Sequence, residues 1–371
     1  TIGGIINVVD DCISALNYEL PEISVGYETQ SVNDGNAENF NFKNNINGFN
    51  VNFGYKNIDF GNYDIPSGAI LHEEEDHDDH DDHDEDEHHD EDMGFLNNSD
   101  YAVEATKFGI SKVGDWGYVG FSVDNLESVY GIPFHGDEHG DEHGDEHGDE
   151  EEHDEHGEER IFSTTDSESF TIKGSYNING SLINKIDFNY RDSDYSLTEA
   201  HEEEEHHEEE EHDEEEEHEE HAPTVFMNEA VEYGATFDIS NDSSTQKVVV
   251  NFVDEDNSIV GEEAFMNPAN SKEFTIGYYL SKDLGIYDLD IGFRHDQIER
   301  SGSVSEEEHG DHHDDDHGDD HGDEHGDEHG EVDYYNIDDS TNSFAVTLGR
   351  SLNDNLGVSL GYASVERLPS S

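Results

Sequence analysis

Twenty-five of the 26 histidines of this chain stand in four tracts built only from histidine, aspartate, glutamate and glycine. The first, His72 to Asp92, carries His72, His77, His80, His83, His88 and His89, and the second, His135 to Glu159, carries His135, His139, His143, His147, His153 and His156. The third, His201 to His221, carries His201, His206, His207, His212, His218 and His221. The fourth, Glu306 to Glu331, carries His309, His312, His313, His317, His321, His325 and His329. Imidazole nitrogen suits zinc, copper and nickel, whereas carboxylate alone suits calcium, magnesium and manganese. With about one histidine in every four tract positions, the composition points to capture of divalent transition metals. A purely acidic run would read as a solvated face.

Spacing adds little to that reading. His77, His80 and His83 recur at every third residue and His139, His143 and His147 at every fourth, and either period aligns ligands on a helix. The repeated glycines of the second and fourth tracts oppose a helix by about 1 kcal/mol each relative to alanine, and dense like charge opposes it further. The tracts are therefore expected to gather ligands around arriving metal through high local concentration, with no fixed cage. Loose geometry selects poorly among zinc, copper and nickel.

The tracts hold 58 of the 98 acidic residues, which leaves 40 acids against 15 lysines and arginines elsewhere. A formal charge of −83 excludes nucleic acid as a partner, because phosphate recognition needs a basic surface. No phosphate-binding glycine loop, nucleophile elbow or HExxH motif is present, and carboxylates in such runs have no fixed partner to tune them. The chain is read as a non-enzyme without a tightly bound cofactor. Cys12, the one cysteine, is read as an inert thiol.

The tracts have no apolar residue to bury, so a separate scaffold must position them. That scaffold is rich in Tyr and Phe, with 17 and 19 in the chain, and it alternates with period two. Ile23, Val25 and Tyr27 share one face of 22–30; Phe49, Val51, Phe53 and Tyr55 share one face of 48–56. Thirteen strands are predicted, at 22–30, 38–45, 48–56, 100–110, 115–125, 168–178, 181–191, 229–239, 245–254, 272–281, 286–299, 341–350 and 355–366. Each has roughly the ~9–11 residues that a tilted strand needs to cross a bilayer.

Tight turns follow the even-numbered strands, at Asn45-Ile46-Asn47, Gly114-Asp115, Asn179-Gly180, Asn241-Asp242-Ser243, Asp283-Leu284-Gly285 and Asn353-Asp354-Asn355. The tracts follow the third, fifth, seventh and eleventh strands, and a polar loop near 254–270 follows the ninth. All long loops are thus predicted on one side of the sheet and all short turns on the other. That asymmetry marks an antiparallel transmembrane β-barrel in contact with outer-membrane lipid. Tyr55, Trp116, Tyr118, Tyr190, Tyr278 and Tyr279 are candidates for its interfacial aromatic girdles.

Several segments resemble the TonB-dependent outer-membrane receptors of the zinc-uptake type. Thr1-Ile2-Gly3-Gly4-Ile5-Ile6-Asn7-Val8-Val9-Asp10 is similar to the end of that family's plug domain, and Tyr63-Asp64-Ile65-Pro66 to the turn above its third strand. Tyr130-Gly131-Ile132-Pro133-Phe134-His135 resembles the YGIPGH motif before a His-rich loop, with Phe134 in place of glycine; Val365-Glu366-Arg367-Leu368-Pro369-Ser370 resembles a later strand-to-loop segment. The resemblance implies the end of a plug over 1–20 and a partial barrel over 21–371, about 13 of an expected 22 strands. The chain is then a fragment, expected to form an open, incomplete barrel. It also implies a bacterial outer-membrane location, energised import through the TonB complex by way of an N-terminal region outside this chain, and Zn²⁺ as cargo, with Cu²⁺ or Ni²⁺ as alternatives. Two other functions stay open: a receptor for haem or another metal complex, and a surface metal buffer or adhesin without transport. His295, outside the tracts, is either a lumen-facing ligand oriented by Asp296 or a structural histidine paired with a neighbour.

Overall fold

The structure is a computed structural model that describes residues 12–66, 94–133, 160–178, 180, 182–202, 222–261, 264, 266–305, 332–353 and 356–367. Its strands are β1 (Glu22–Gln30), β2 (Gly35–Ile46), β3 (Phe49–Phe60), β4 (Tyr63–Asp64), β5 (Phe95–Leu96), β6 (Tyr101–Gly114), β7 (Gly117–Gly131) and β8 (Arg160–Asn177). There follow β9 (Lys185–Glu202), β10 (Thr224–Asp238), β11 (Ser244–Val260), β12 (Ala269–Asp283), β13 (Asp288–Ser305), β14 (Val332–Asn353) and β15 (Leu356–Ser364). Among the described residues there is no helix.

All thirteen predicted strands are present. They form one antiparallel sheet in strict chain order, while β4 and β5 pair separately beside it. The sheet is open, with β1 and β15 at its edges, as expected of a partial barrel. Strand length departs from expectation. Only β1 and β15 have 9 residues; β8, β9 and β13 have 18 and β14 has 22. Backbone pairing continues beyond the apolar zone because the ladder needs no particular side chain to propagate.

The short turns carry the expected chemistry with one shift of boundary. The β2–β3 turn is Asn47-Gly48, at φ 54° and 84°, the positive pair that a two-residue type I′ hairpin requires. In the β12–β13 turn the Asp283 carboxylate accepts the Gly285 N–H at 2.6 Å, and in the β10–β11 turn Asn241 Oδ1 accepts the Ser243 N–H at 3.0 Å. One predicted rule needs correction: the four-residue connection Ser31 to Asp34 between β1 and β2 lies on the long-loop side. Asp34 there takes φ 48°, and the carbonyl of Asn33 accepts the Gly61 N–H at 2.8 Å, so this turn braces the chain leaving β3.

Residues paired across antiparallel strands project to the same side, and following the register divides the sheet into two unlike faces. One face is apolar: Phe42, Phe53, Phe108, Val123 and Phe170 are successive partners, and so are Tyr190, Tyr233, Phe252 and Phe274. Ring contacts run along it, with centroids 6.2 Å apart at Phe121–Phe170 and 4.8 Å at Tyr233–Phe252. The other face is polar: Lys43, Asn52, Gly109, Ser122, Thr171, Arg191 and Glu232 are successive partners. Burial is inverted relative to a water-soluble fold, with Phe121 41% exposed and Ser122, its neighbour in sequence, 3%. A wall that is apolar outside and polar inside is the cross-section of a membrane barrel.

Residues 12–20 explain why the polar face of β3, β6 and β7 is buried. Asn50 Nδ2 donates to the Leu16 carbonyl at 3.1 Å, its Oδ1 accepts the Tyr18 N–H at 3.1 Å, and Ser111 Oγ donates to the Ser14 carbonyl at 2.7 Å. The approach is close because Gly109 presents no side chain. A Cβ there would lie 2.3 Å from the Cys12 carbonyl oxygen, and one at Gly120 would lie 2.6 Å from Ile13 Cγ2. Gly109→Ala is expected to lift this segment, and a thiol reagent will then modify Cys12, which is 3% exposed in the native fold, many times faster than in the parent protein.

Candidate functional site

The tract histidines and acids lie outside the described residues, apart from His201 and Glu202, whose backbone ends β9. The residues from which the tracts spring are described, and all belong to one rim. The first tract runs between β4 and β5, which pair as Tyr63 with Leu96 and Asp64 with Phe95. The Ile65 N–H donates to the Gly94 carbonyl at 2.9 Å, and Ser99 Oγ accepts the Tyr63 N–H at 2.8 Å. This stem is therefore fixed by its own hydrogen bonds.

The described chain stops at Pro133 before the second tract and resumes at Arg160, and at the third it stops at Glu202, inside the tract, and resumes at Ala222. Arg160 and Glu202 are register partners, so the chain leaving the second tract abuts the chain entering the third. The Arg160 guanidinium also reaches Asp100, at the exit from the first loop, at 2.6 Å. Three tracts are thus rooted on six consecutive strands, β3 and β6 to β10, an arc of about 24 Å at ~4.8 Å per strand. The ends of the fourth tract also adjoin, Ser305 pairing with Val332 further along the same rim.

The strand extensions below this rim are acidic on the face that continues the apolar wall. Glu104, Glu127 and Asp166 are direct register partners, and so are Glu168, Asp194, Glu229 and Asp256 in the next row. Like charges directly opposed on a sheet are destabilising. The short spacing of these carboxylates extends the negative field of the tracts down the wall. Glu104, Glu127 and Asp166 border an open depression of about 560 Å³.

His295 is not on the polar face. It pairs with Ile276 and shares the apolar face with Phe293, and its Nδ1 lies 3.0 Å from Asn342 Oδ1. Asp296 projects to the opposite side, so it does not orient the His295 ring; of the two readings, a structural histidine paired with a neighbour is what the structure contains. The girdle assignment also needs revision. Tyr118 and Tyr279 fall on the polar face by register, with the Tyr279 hydroxyl 3.2 Å from Asp290, and Tyr190 lies within the apolar band. Trp116 does stand at the short-turn rim, where its ring lies 6.4 Å from that of Tyr176, a residue the sequence reading missed.

Asp296, named above only as a neighbour of His295, is the most enclosed of the described carboxylates on the polar face, 7% exposed. It accepts from Thr275 Oγ1 at 2.6 Å, Arg294 Nε at 2.7 Å and Thr341 Oγ1 at 3.5 Å, tying β12, β13 and β14 together. Because Arg294 is 59% exposed, the ion pair is screened and the hydroxyl bonds dominate. Asp296→Ala is expected to lower stability by about 2 kcal/mol, read as an earlier urea midpoint in detergent.

No family model matches the chain, and no curated protein matches it in sequence. Its fold does have solved counterparts. The FrpB iron transporter from Neisseria meningitidis superposes with a TM-score of 0.61 at 10% identity, over 97% of this chain and 49% of that one. The copper transporter OprC superposes at 0.58 with 9% identity, over 96% and 46%. The Serratia marcescens hemophore receptor HasR, solved with its hemophore HasA and heme, superposes at 0.54 with 7% identity, over 95% and 46%. The chain spans about half the length of these proteins. What the chain shares with them is the fold, an antiparallel β-barrel wall.

Proposed function

We propose that this chain forms part of a bacterial outer-membrane receptor whose His- and acid-rich loops capture Zn²⁺, or a related divalent transition metal, for TonB-energised import. The observation that carries this reading is placement. All four tracts, holding 25 of 26 histidines, are rooted on one rim of a wall that is apolar on one face and polar on the other. On this reading the apolar face meets lipid, the polar face lines the import path, and residues 1–20 end a plug. The acidic rim first concentrates cations by electrostatic attraction. Neutral imidazoles and carboxylates then coordinate them and release protons. The solved counterparts are named as transporters or receptors, which supports a non-enzymatic role.

A second reading is import of a metal complex such as haem. The likeness in fold to a hemophore receptor solved with heme supports it, whereas Lys107 and Arg191 on the polar face are paired in register with Asp124 and Glu232 and give no net preference for an anion. The test is metal uptake by cells carrying the full-length receptor with intact or shortened tracts, with Zn²⁺, Cu²⁺, Ni²⁺ and haem offered in competition. Preference for free Zn²⁺ that depends on the tracts supports the first reading. Tract-independent haem uptake replaces it with the second.

A further inference from the structure

The two ends of the apolar face carry opposite charge. Toward the tracts its outward positions are acidic, as at Glu104, Glu127, Asp166 and Glu168. Toward the short turns, the charged residues at outward strand positions are Lys112 on β6, Lys282 on β12 and Arg350 on β14, and the described carboxylates nearby, Asp115, Asp242 and Asp283, stand in the turns or face the other side. Their facing follows from register: Lys112 pairs with Val119, Lys282 with Leu289 and Arg350 with Val358, all on the apolar side. Among the described residues none of the three is within salt-bridge distance of a carboxylate.

Two of these cations rest on aromatic rings at the margin of the apolar band. Lys112 Nζ lies 4.5 Å from the centroid of the Phe49 ring, and Arg350 Cζ lies 5.5 Å from that of Tyr287. A cation held over a ring keeps its alkyl stem on apolar surface and its charge at the level where apolar surface ends. Lys282 stands one residue pair above Arg350 and two strands away, since Leu289 faces both Lys282 and Leu348. Outward carboxylates at the opposite end repel an anion, so of the two ends of the apolar face this one presents the outward cations an anionic ligand needs.

We propose that Lys112, Lys282 and Arg350 form docking points for the headgroup phosphate of anionic phospholipid in the leaflet on the short-turn side. The inference rests on the membrane-barrel reading above and adds a ligand and an orientation to it. Guanidinium and ammonium groups both match phosphate oxygens, the first in bidentate fashion. The aromatic rings pre-position two of the cations, so little side-chain freedom is lost on binding.

The test uses the full-length receptor reconstituted into phosphatidylcholine vesicles with and without phosphatidylglycerol, then extracted mildly and examined for retained lipid by native mass spectrometry. The parent is expected to retain phosphatidylglycerol over phosphatidylcholine. Lys112→Gln, Lys282→Gln and Arg350→Gln should each weaken that preference about fivefold, and Lys112→Arg with Lys282→Arg should keep it. Equal retention by the parent and the triple glutamine variant, with both inserted, overturns the proposal while leaving the barrel intact. Failure of the parent itself to insert overturns the barrel reading and this inference together. Displacement of the lipid by millimolar inorganic phosphate, with phosphate bound in its place, makes the site one for free phosphate and also overturns it.

Discussion

Replacing all four tracts by short Gly-Ser loops in the full-length receptor is expected to reduce zinc uptake about tenfold or more under zinc limitation, with recovery when zinc is abundant. The expectation follows from where the tracts are rooted. Three emerge from six consecutive strands, and the guanidinium of Arg160 ties the first root to the second at 2.6 Å. On the proposed reading, a metal released by one tract meets the ligands of the next before it diffuses away. Removing one tract alone should matter little, since the other histidines replace those lost. The measurement is initial uptake of radioactive zinc by intact cells, with receptor abundance matched. Unchanged uptake at low zinc would make the tracts a solvated coat or a buffer. Selection would then reside on the polar face, beginning with carboxylates such as Asp124, Glu232 and Asp296, and not with His295.

Thirteen strands were legible because two independent signals coincide in each. Alternation such as Phe49, Val51, Phe53 and Tyr55 fixes a face, and turn residues such as Asn47-Gly48 fix an end. Strand length was legible only where lipid imposes alternation. The first ten residues of β14, Val332 to Thr341, are largely polar on both faces, so the pattern fades although the ladder continues to β13. The contact of residues 12–20 with the wall left a trace in Gly109 and Gly120, glycines at polar-face positions of β6 and β7, which mark close backbone approach. The facing of His295 was legible too: it stands two residues from Phe293, and that parity outweighs the chemical appeal of Asp296 beside it. The lateral adjacency of the tract roots was not legible, because alternation gives strand order but no register. It required the pairing of Arg160 with Glu202 and the reach of Arg160 to Asp100.

Zinc affinity of the intact receptor's tracts is expected to fall about 100-fold between pH 7.5 and pH 5.5 for a site using two imidazoles, because ordinary histidine titrates near ~6.5. The sign follows from proton competition. Coordination needs neutral imidazole, so metal binding is complete above the free pKa and is lost as protons occupy the ring below it. Each imidazole that must be deprotonated contributes a factor of about ten over that interval, and carboxylates, still ionised at pH 5.5, contribute almost none. The slope of affinity against pH therefore counts the imidazoles at the metal. The dense acidic surroundings reinforce this: they favour the protonated, cationic ring and so move the onset of loss to higher pH. Isothermal titration of zinc into the receptor at several pH values, in buffers of different ionisation heat, reads both the affinity and the protons released. A flat profile across this range would assign capture to carboxylates alone and would shift the expected cargo toward calcium, magnesium or manganese.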